Sequence, residues 1–208
     1  MKLSKEQIQY IDDYLIRLGV KFTDVRLELI DHLASGFEAS KKEQQLEDYL
    51  KSKIDFIQDF EKKRQKTIHW SYQREMWRRL AMFFYKPKYI PFTIMLGFAV
   101  YWMQQLQPNK ALTLILVVSL SIIHFWAIIT GFSHHKTFKK LQIAQPLYSI
   151  MALPSLFLYC MGVAKPWLEN QYFFIAFWFL AVLFNIAGGI ELRNKKNKIL
   201  EYSKTLCK

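Results

Sequence analysis

The chain has 208 residues, 29 Lys/Arg against 17 Asp/Glu, a formal net charge of +12 and a 52% hydrophobic fraction, with a mean hydropathy of +0.02. Such averages suit a soluble basic protein, and strong basicity invites a nucleic-acid partner. The distribution argues against both readings. Residues 1–60 hold nine Lys/Arg against twelve Asp/Glu, a net of −3, whereas 61–88 hold nine against two and 89–208 hold eleven against three. Positive charge begins where the long apolar runs begin, so no nucleic-acid partner is expected.

In chain order, Ser4 and Gln7 have the spacing of a capping box. Ile8, Ile11, Leu15 and Leu18 recur at helical spacing behind them, and Gly19 supplies a stop. Met1 to Lys21 is charged throughout, and no secretory signal is read there. Thr23 is expected to cap a second helix carrying the stripe Val25, Leu29, Leu33 and Phe37. After a polar link over 39–45, a third amphipathic segment carries Leu46, Leu50, Ile54, Ile57 and Phe60. These three helices form an N-terminal cytoplasmic head over 1–60, small enough that docking against another part of the chain would help it.

The runs Ile11-Asp-Asp-Tyr-Leu-Ile-Arg-Leu-Gly19 and Asp24-Val-Arg-Leu-Glu-Leu-Ile-Asp-His-Leu33, centred on Glu28, Asp31, His32 and Leu33, carry a resemblance. Over about the first 60 residues the chain resembles the HAAS-type helical domain, which stands at the N-terminus of bacterial membrane proteins often encoded beside PadR-type repressors. The resemblance implies a signalling or regulatory membrane protein, not an enzyme. Glu28, Asp31 and His32 are the candidate partner-binding surface of the head.

Residues 61–88 read as a basic amphipathic juxtamembrane helix. Trp70, Trp77 and Phe84 repeat at seven, with Met76, Leu80 and Phe83 expected on the same side and Arg74 and Arg78 opposite. Trp with Arg suits the headgroup layer of an anionic bilayer, so Trp70, Arg74, Trp77 and Arg78 are candidate headgroup contacts. The alternative is a further packing helix of the head.

Four runs free of Asp, Glu, Lys and Arg follow, over 89–106, 111–132, 141–163 and 172–190. At about 1.5 Å rise per residue, even the shortest reaches roughly 27 Å, close to a hydrocarbon core of about 30 Å. Short connectors make consecutive spans antiparallel neighbours. The expectation is an all-α polytopic protein: a four-helix transmembrane bundle over 89–190, followed by a basic cytoplasmic tail over 191–208. The head, Lys136, Lys139, Lys140 and the basic tail share one side, and Lys110 and Lys165 the other. The positive-inside rule then places both termini in the cytoplasm of a bacterial inner membrane.

Counting depth along each run puts His124, Ser149 and Asn185 in one intramembrane polar layer, with Gly97 allowing close approach. An ionisable residue there suggests a proton- or ligand-responsive spot, and the alternative is hydrogen bonding that sets bundle register. Pro146 and Pro154 are expected to kink the third span, and Gly188-Gly189 to permit close packing. His134-His135 lacks a third ligand, and Cys160 and Cys207 read as free thiols. No catalytic, metal or cofactor motif is found. Two readings follow: a membrane-anchored interaction or regulatory protein binding a protein partner or serving a larger membrane complex, or a small transporter or channel subunit using the His124 layer.

Overall fold

The computed structural model describes residues 3–40, 45–106, 109–132 and 138–206, and none of the described residues is in a strand. His134, His135, Lys136 and Cys207 lie outside them. The chain divides into two compact units, Met1–His69 with His134–Pro146, and Trp70–Ser133 with Leu147–Lys208.

In the first unit, α1 (Lys5–Arg17) opens with the expected capping box: the Gln7 amide donates to Ser4 Oγ at 3.3 Å and the Ser4 amide to Gln7 Oε1 at 2.9 Å. Gly19 ends it at φ 88°, a conformation that costs glycine little. The amides of Gly19 and Val20 close back onto Ile16 and Leu15 carbonyls, a Schellman turn. Helix α2 (Thr23–Ala39) differs from expectation at its start. Phe22 occupies the cap position, Thr23 is already helical, and its amide donates to the Lys140 carbonyl at 2.9 Å. A tertiary acceptor replaces the local side-chain cap.

The third predicted helix is broken at Lys53, which separates α3 (Leu46–Ser52) from α4 (Ile54–Tyr85). Helix α4 has 32 residues and no interruption at 60/61, so the head boundary read from charge is not a break in secondary structure. Ile11, Leu15, Val25, Leu29, Leu33, Leu50 and Ile57 form a core closed to solvent. Their spacing of three and four within each helix is what brings them to one side.

The second unit contains the rest of α4 from Trp70, α5 (Ile90–Leu106), α6 (Asn109–Phe132), α7 (Ala152–Tyr159), α8 (Met161–Ala164) and α9 (Gln171–Leu206). Helix α9 is its central element: Ala181 to Asn185, Ala187 to Gly189, Glu191 and Leu192 are all buried. Leu112, Leu116 and Leu120 of α6, four residues apart, pack in the same core. A Cβ at Gly188 would stand 2.8 Å from Pro154 Cγ and 3.0 Å from Met151 Sδ, and one at Gly189 would stand 3.2 Å from the Trp126 ring. The expected close packing of this glycine pair is present.

Elsewhere the apolar side chains point outward. Ile94, Met95, Phe98, Ile122, Phe125 and Ile129 are all more than half exposed. A soluble protein seldom leaves so much apolar surface bare. Among the described residues, three segments are long and apolar enough to cross a membrane: Ala111–Thr130, Gln142–Ala164 and Gln171–Thr205. Helix α5, with 17 residues, is shorter, at about 26 Å by helical rise.

Residues 191–206, read as the basic tail, are helical, since α9 continues without a break to Leu206. One expectation about these runs is revised: the third run is not one kinked α-helix. It begins as a 3-10 segment, Gln142–Met151, that contains Pro146, and becomes α-helical only at Ala152. Pro154 then falls in the first turn of α7, where its missing N–H has no intrahelical partner to lose. The first residues of this run, up to Pro146, belong to the first unit.

Candidate functional site

In the first unit, polar chemistry concentrates on Arg64 of α4. Its Nη1 donates to Asp24 Oδ2 at 3.0 Å and to Gln142 Oε1 at 2.9 Å, and its Nε to Glu28 Oε2 at 2.7 Å. Asp24 is 1% exposed. Its carboxylate also accepts the backbone amides of Gln142 at 2.8 Å and Ile143 at 3.2 Å. Asp24 therefore caps the 3-10 segment that starts at Gln142, supplying acceptors to amides that have none within their own turn. Gln142 Nε2 donates to the Glu61 carbonyl at 3.0 Å, so its amide is used at both ends. This cluster joins α2, α4 and the 142–143 turn.

Beside it lies an open groove of about 450 Å³, lined by Phe56, Phe60 and Ile68, by Glu28, Asp55 and Asp59, and by Lys63, Arg64 and Thr67. Lys63 pairs with Asp59 at 3.3 Å one turn away. Phe56 is 45% exposed and tilts onto Phe60 at 5.8 Å between ring centroids. The predicted head residues divide. Glu28 lines the groove, His32 meets the Phe60 ring edge-on at 5.6 Å, and Asp31 is exposed with no polar partner among the described residues. Phe56 and Asp55 were missed as site residues, because a phenylalanine in an amphipathic segment reads as core.

In the second unit, His124 and Asn185 meet as depth counting expects, with His124 Nδ1 and Asn185 Oδ1 at 3.3 Å. Asn185 Nδ2 donates to the carbonyls of Ala181 at 2.9 Å and Pro154 at 3.3 Å. The third run thus contributes the Pro154 carbonyl to this network. Ser149 is bonded to α4, where Gln73 Nε2 donates to its carbonyl at 2.7 Å and to its hydroxyl at 3.4 Å. The Asn185 amide meets the third run at Pro154, five residues beyond Ser149, because the run's residues up to Pro146 belong to the first unit and a count begun at 141 starts too early. Gly97 lies against the ring of Phe179, 3.6 Å from its virtual Cβ.

From Trp70 on, α4 also sorts its faces differently from expectation. Tyr72, Met76, Leu80 and Phe83 are buried, while Trp70, Trp77 and Phe84 are exposed together with Arg74 and Arg78. Neighbours such as Met76 and Trp77 are about 100° apart on a helix, so one ring stripe and one packing stripe coexist. Trp77 meets Phe184 edge-on at 5.1 Å.

A charged ladder joins this helix to α9. Arg79 Nη2 donates to Glu191 Oε2 at 3.1 Å, and Lys195 Nζ lies 2.7 Å from Glu75 Oε2. Lys195 also lies 4.6 Å from the Tyr72 ring centroid. Burial pushes the Glu75 carboxyl up, but its hydrogen bond and charge contact with Lys195, then Glu191 and Lys198, outweigh this and hold it below its ordinary value of 4.5. The ladder was legible in outline: Glu75 and Arg79 are four apart, as are Glu191 and Lys195, and the same acid-then-base order in each helix brings opposite charges together when the two run antiparallel.

No group of three or more His, Cys, Asp or Glu side chains among the described residues is placed to hold a metal ion. No family model, curated protein or solved structure matches this chain.

Proposed function

We propose that this chain is a membrane-anchored interaction protein: a four-span inner-membrane anchor, both termini cytoplasmic, whose helical head binds a protein partner and reports to or recruits a larger complex. The reading rests on the head groove, where the exposed Phe56 ring and Ile68 lie among Glu28, Asp55 and Asp59, with Glu28 paired to Arg64, Asp59 paired to Lys63 and Asp55 left without a cation among the described residues. Apolar contact beside that carboxylate fits the basic amphipathic helix of a cytosolic protein, whose apolar side chains enter the groove and one of whose cations meets Asp55. The resemblance of residues 11–33 to HAAS-type heads supports the same reading. The anchor rests on the lipid-type exposure of α5 and α6 and on the one-sided distribution of lysine and arginine.

Full-length protein in neutral-lipid nanodiscs, titrated with a labelled Lys/Leu amphipathic peptide and with its Glu/Leu analogue, tests the groove by fluorescence anisotropy. The basic peptide is expected to bind, and Phe56→Ser or Asp55→Lys to weaken it about tenfold or more. Equal binding of the acidic peptide, or no effect of either substitution, overturns the reading. A reporter fused after Lys208 tests the topology and should be cytoplasmic.

The His124 network supports packing more than transport. His124 and the Asn185 amide are engaged with one another and with two backbone carbonyls, an arrangement that fixes register between helices.

A further inference from the structure

A second cavity in the first unit, of about 470 Å³, has a different chemistry from the groove. It is lined by Lys62, Gln65, Lys66 and His69 of α4 and by Gln145 and Pro146 at the end of the 138–146 segment. No carboxylate lines it among the described residues. Lys62, Lys66 and His69 follow the i, i+4, i+7 rule and so project from one face of α4. Among the described residues neither lysine has an acidic partner, whereas Lys63 and Arg64, between them in sequence, are both paired. The Gln65 and Gln145 side chains also have no hydrogen-bond partner among the described residues. Two ammonium groups and two amides, all exposed and all able to donate, thus line one open surface depression of about 470 Å³.

We propose that this cavity binds a phosphate-bearing anion, with Lys62 and Lys66 supplying charge and Gln65 and Gln145 supplying orienting hydrogen bonds. Such an arrangement leaves mutual repulsion of the two lysines uncompensated until an anion enters, and a tetrahedral anion accepts from several donors at once. The phosphate can be a free ion or the headgroup of an acidic phospholipid, both of which present the same oxygens. The site is separate from the groove, so its failure leaves the partner-binding reading intact.

The test uses the full chain in phosphatidylcholine nanodiscs, titrated by calorimetry with inorganic phosphate and, separately, with a water-soluble short-chain phosphatidylglycerol. Lys62→Gln/Lys66→Gln is expected to weaken whichever probe binds by about ten- to thirtyfold, at two surface-proximal charges. Gln145→Ala is expected to weaken it less. Binding of phosphate identifies a free-anion site, and binding of phosphatidylglycerol alone identifies a headgroup site. Lys5→Gln/Lys21→Gln removes the same charge from exposed positions outside the cavity and should leave affinity within about twofold. Thermal unfolding of each variant checks that these exposed helix-surface changes leave the fold in place. Binding of neither probe, or an equal loss in the Lys5/Lys21 control, overturns the proposal.

Discussion

Each unit buries one carboxylate against an arginine of α4, and the two are built differently. Asp24, in the first unit, accepts two backbone amides as well as Arg64. Glu191, in the second, is 3% exposed and takes its donors from Arg79, both onto Oε2. A carboxylate that caps backbone amides cannot be replaced by rearranging side chains, because those amides have fixed directions. One met by side chains instead retains flexible partners that can turn toward water. The first unit therefore depends on its buried charge for the path of the chain, and the second for the register of two helices.

The sharpest way to break this contrast is Asp24→Ala. It strands Arg64 and two backbone amides, with an expected loss of about 3–5 kcal/mol, read as protease sensitivity and early thermal unfolding of the head. Asp24→Asn keeps one acceptor and should lose less. If Glu191→Ala proves more damaging than Asp24→Ala, the contrast fails.

A smaller effect tests close packing in the second unit. Gly188→Leu must displace Pro154 and Met151 and should cost about 1–3 kcal/mol in detergent unfolding. Gly97→Ala meets Phe179 only at ordinary contact distance and should be neutral or slightly stabilising. Equal behaviour of the two glycines would show that α9 is not tightly packed at that level.

Within the polar network, Asn185→Ala removes three bonds and should cost about 0.6–2 kcal/mol, more than His124→Ala, which removes one. Thermal shifts of the two variants give the ranking, and the reverse order contradicts Asn185 as its centre.

The smallest effect is the pH dependence of the Glu75–Lys195 rung. Because the folded Glu75 carboxyl is held below 4.5, its contribution is complete above that value and disappears as pH falls through the folded value. Unfolding of wild type and Glu75→Gln should converge at acid pH and separate above about pH 5. A separation that persists unchanged at pH 3 speaks against this assignment.

The groove and the charged ladder show why some of the site was readable and some was not. Glu28 and His32 stand out as polar residues on an amphipathic helix, and both lie at or beside the groove. Phe56 carries the same apolar signature as Ile57, yet one is 45% exposed and the other 1%. Hydrophobicity alone does not say which of two adjacent apolar residues faces inward. The His124–Asn185 pair is readable because both lie in regular α-helix, where depth follows residue count, whereas a count to Ser149 begins in residues that belong to the first unit.

By itself the sequence determined what depends on neighbours a few residues away: the capping box at Ser4, the stop at Gly19, the helical stripes, the uncharged runs and the sidedness of charge. Tertiary structure decided which distant groups meet. Asp24 finds Arg64 across 40 residues and the Gln142 amide across 118, and Arg79 finds Glu191 across 112. Local periodicity states which face of a helix is apolar, but a buried ion pair forms only where two such faces close over it, and that closure is a property of the assembled chain.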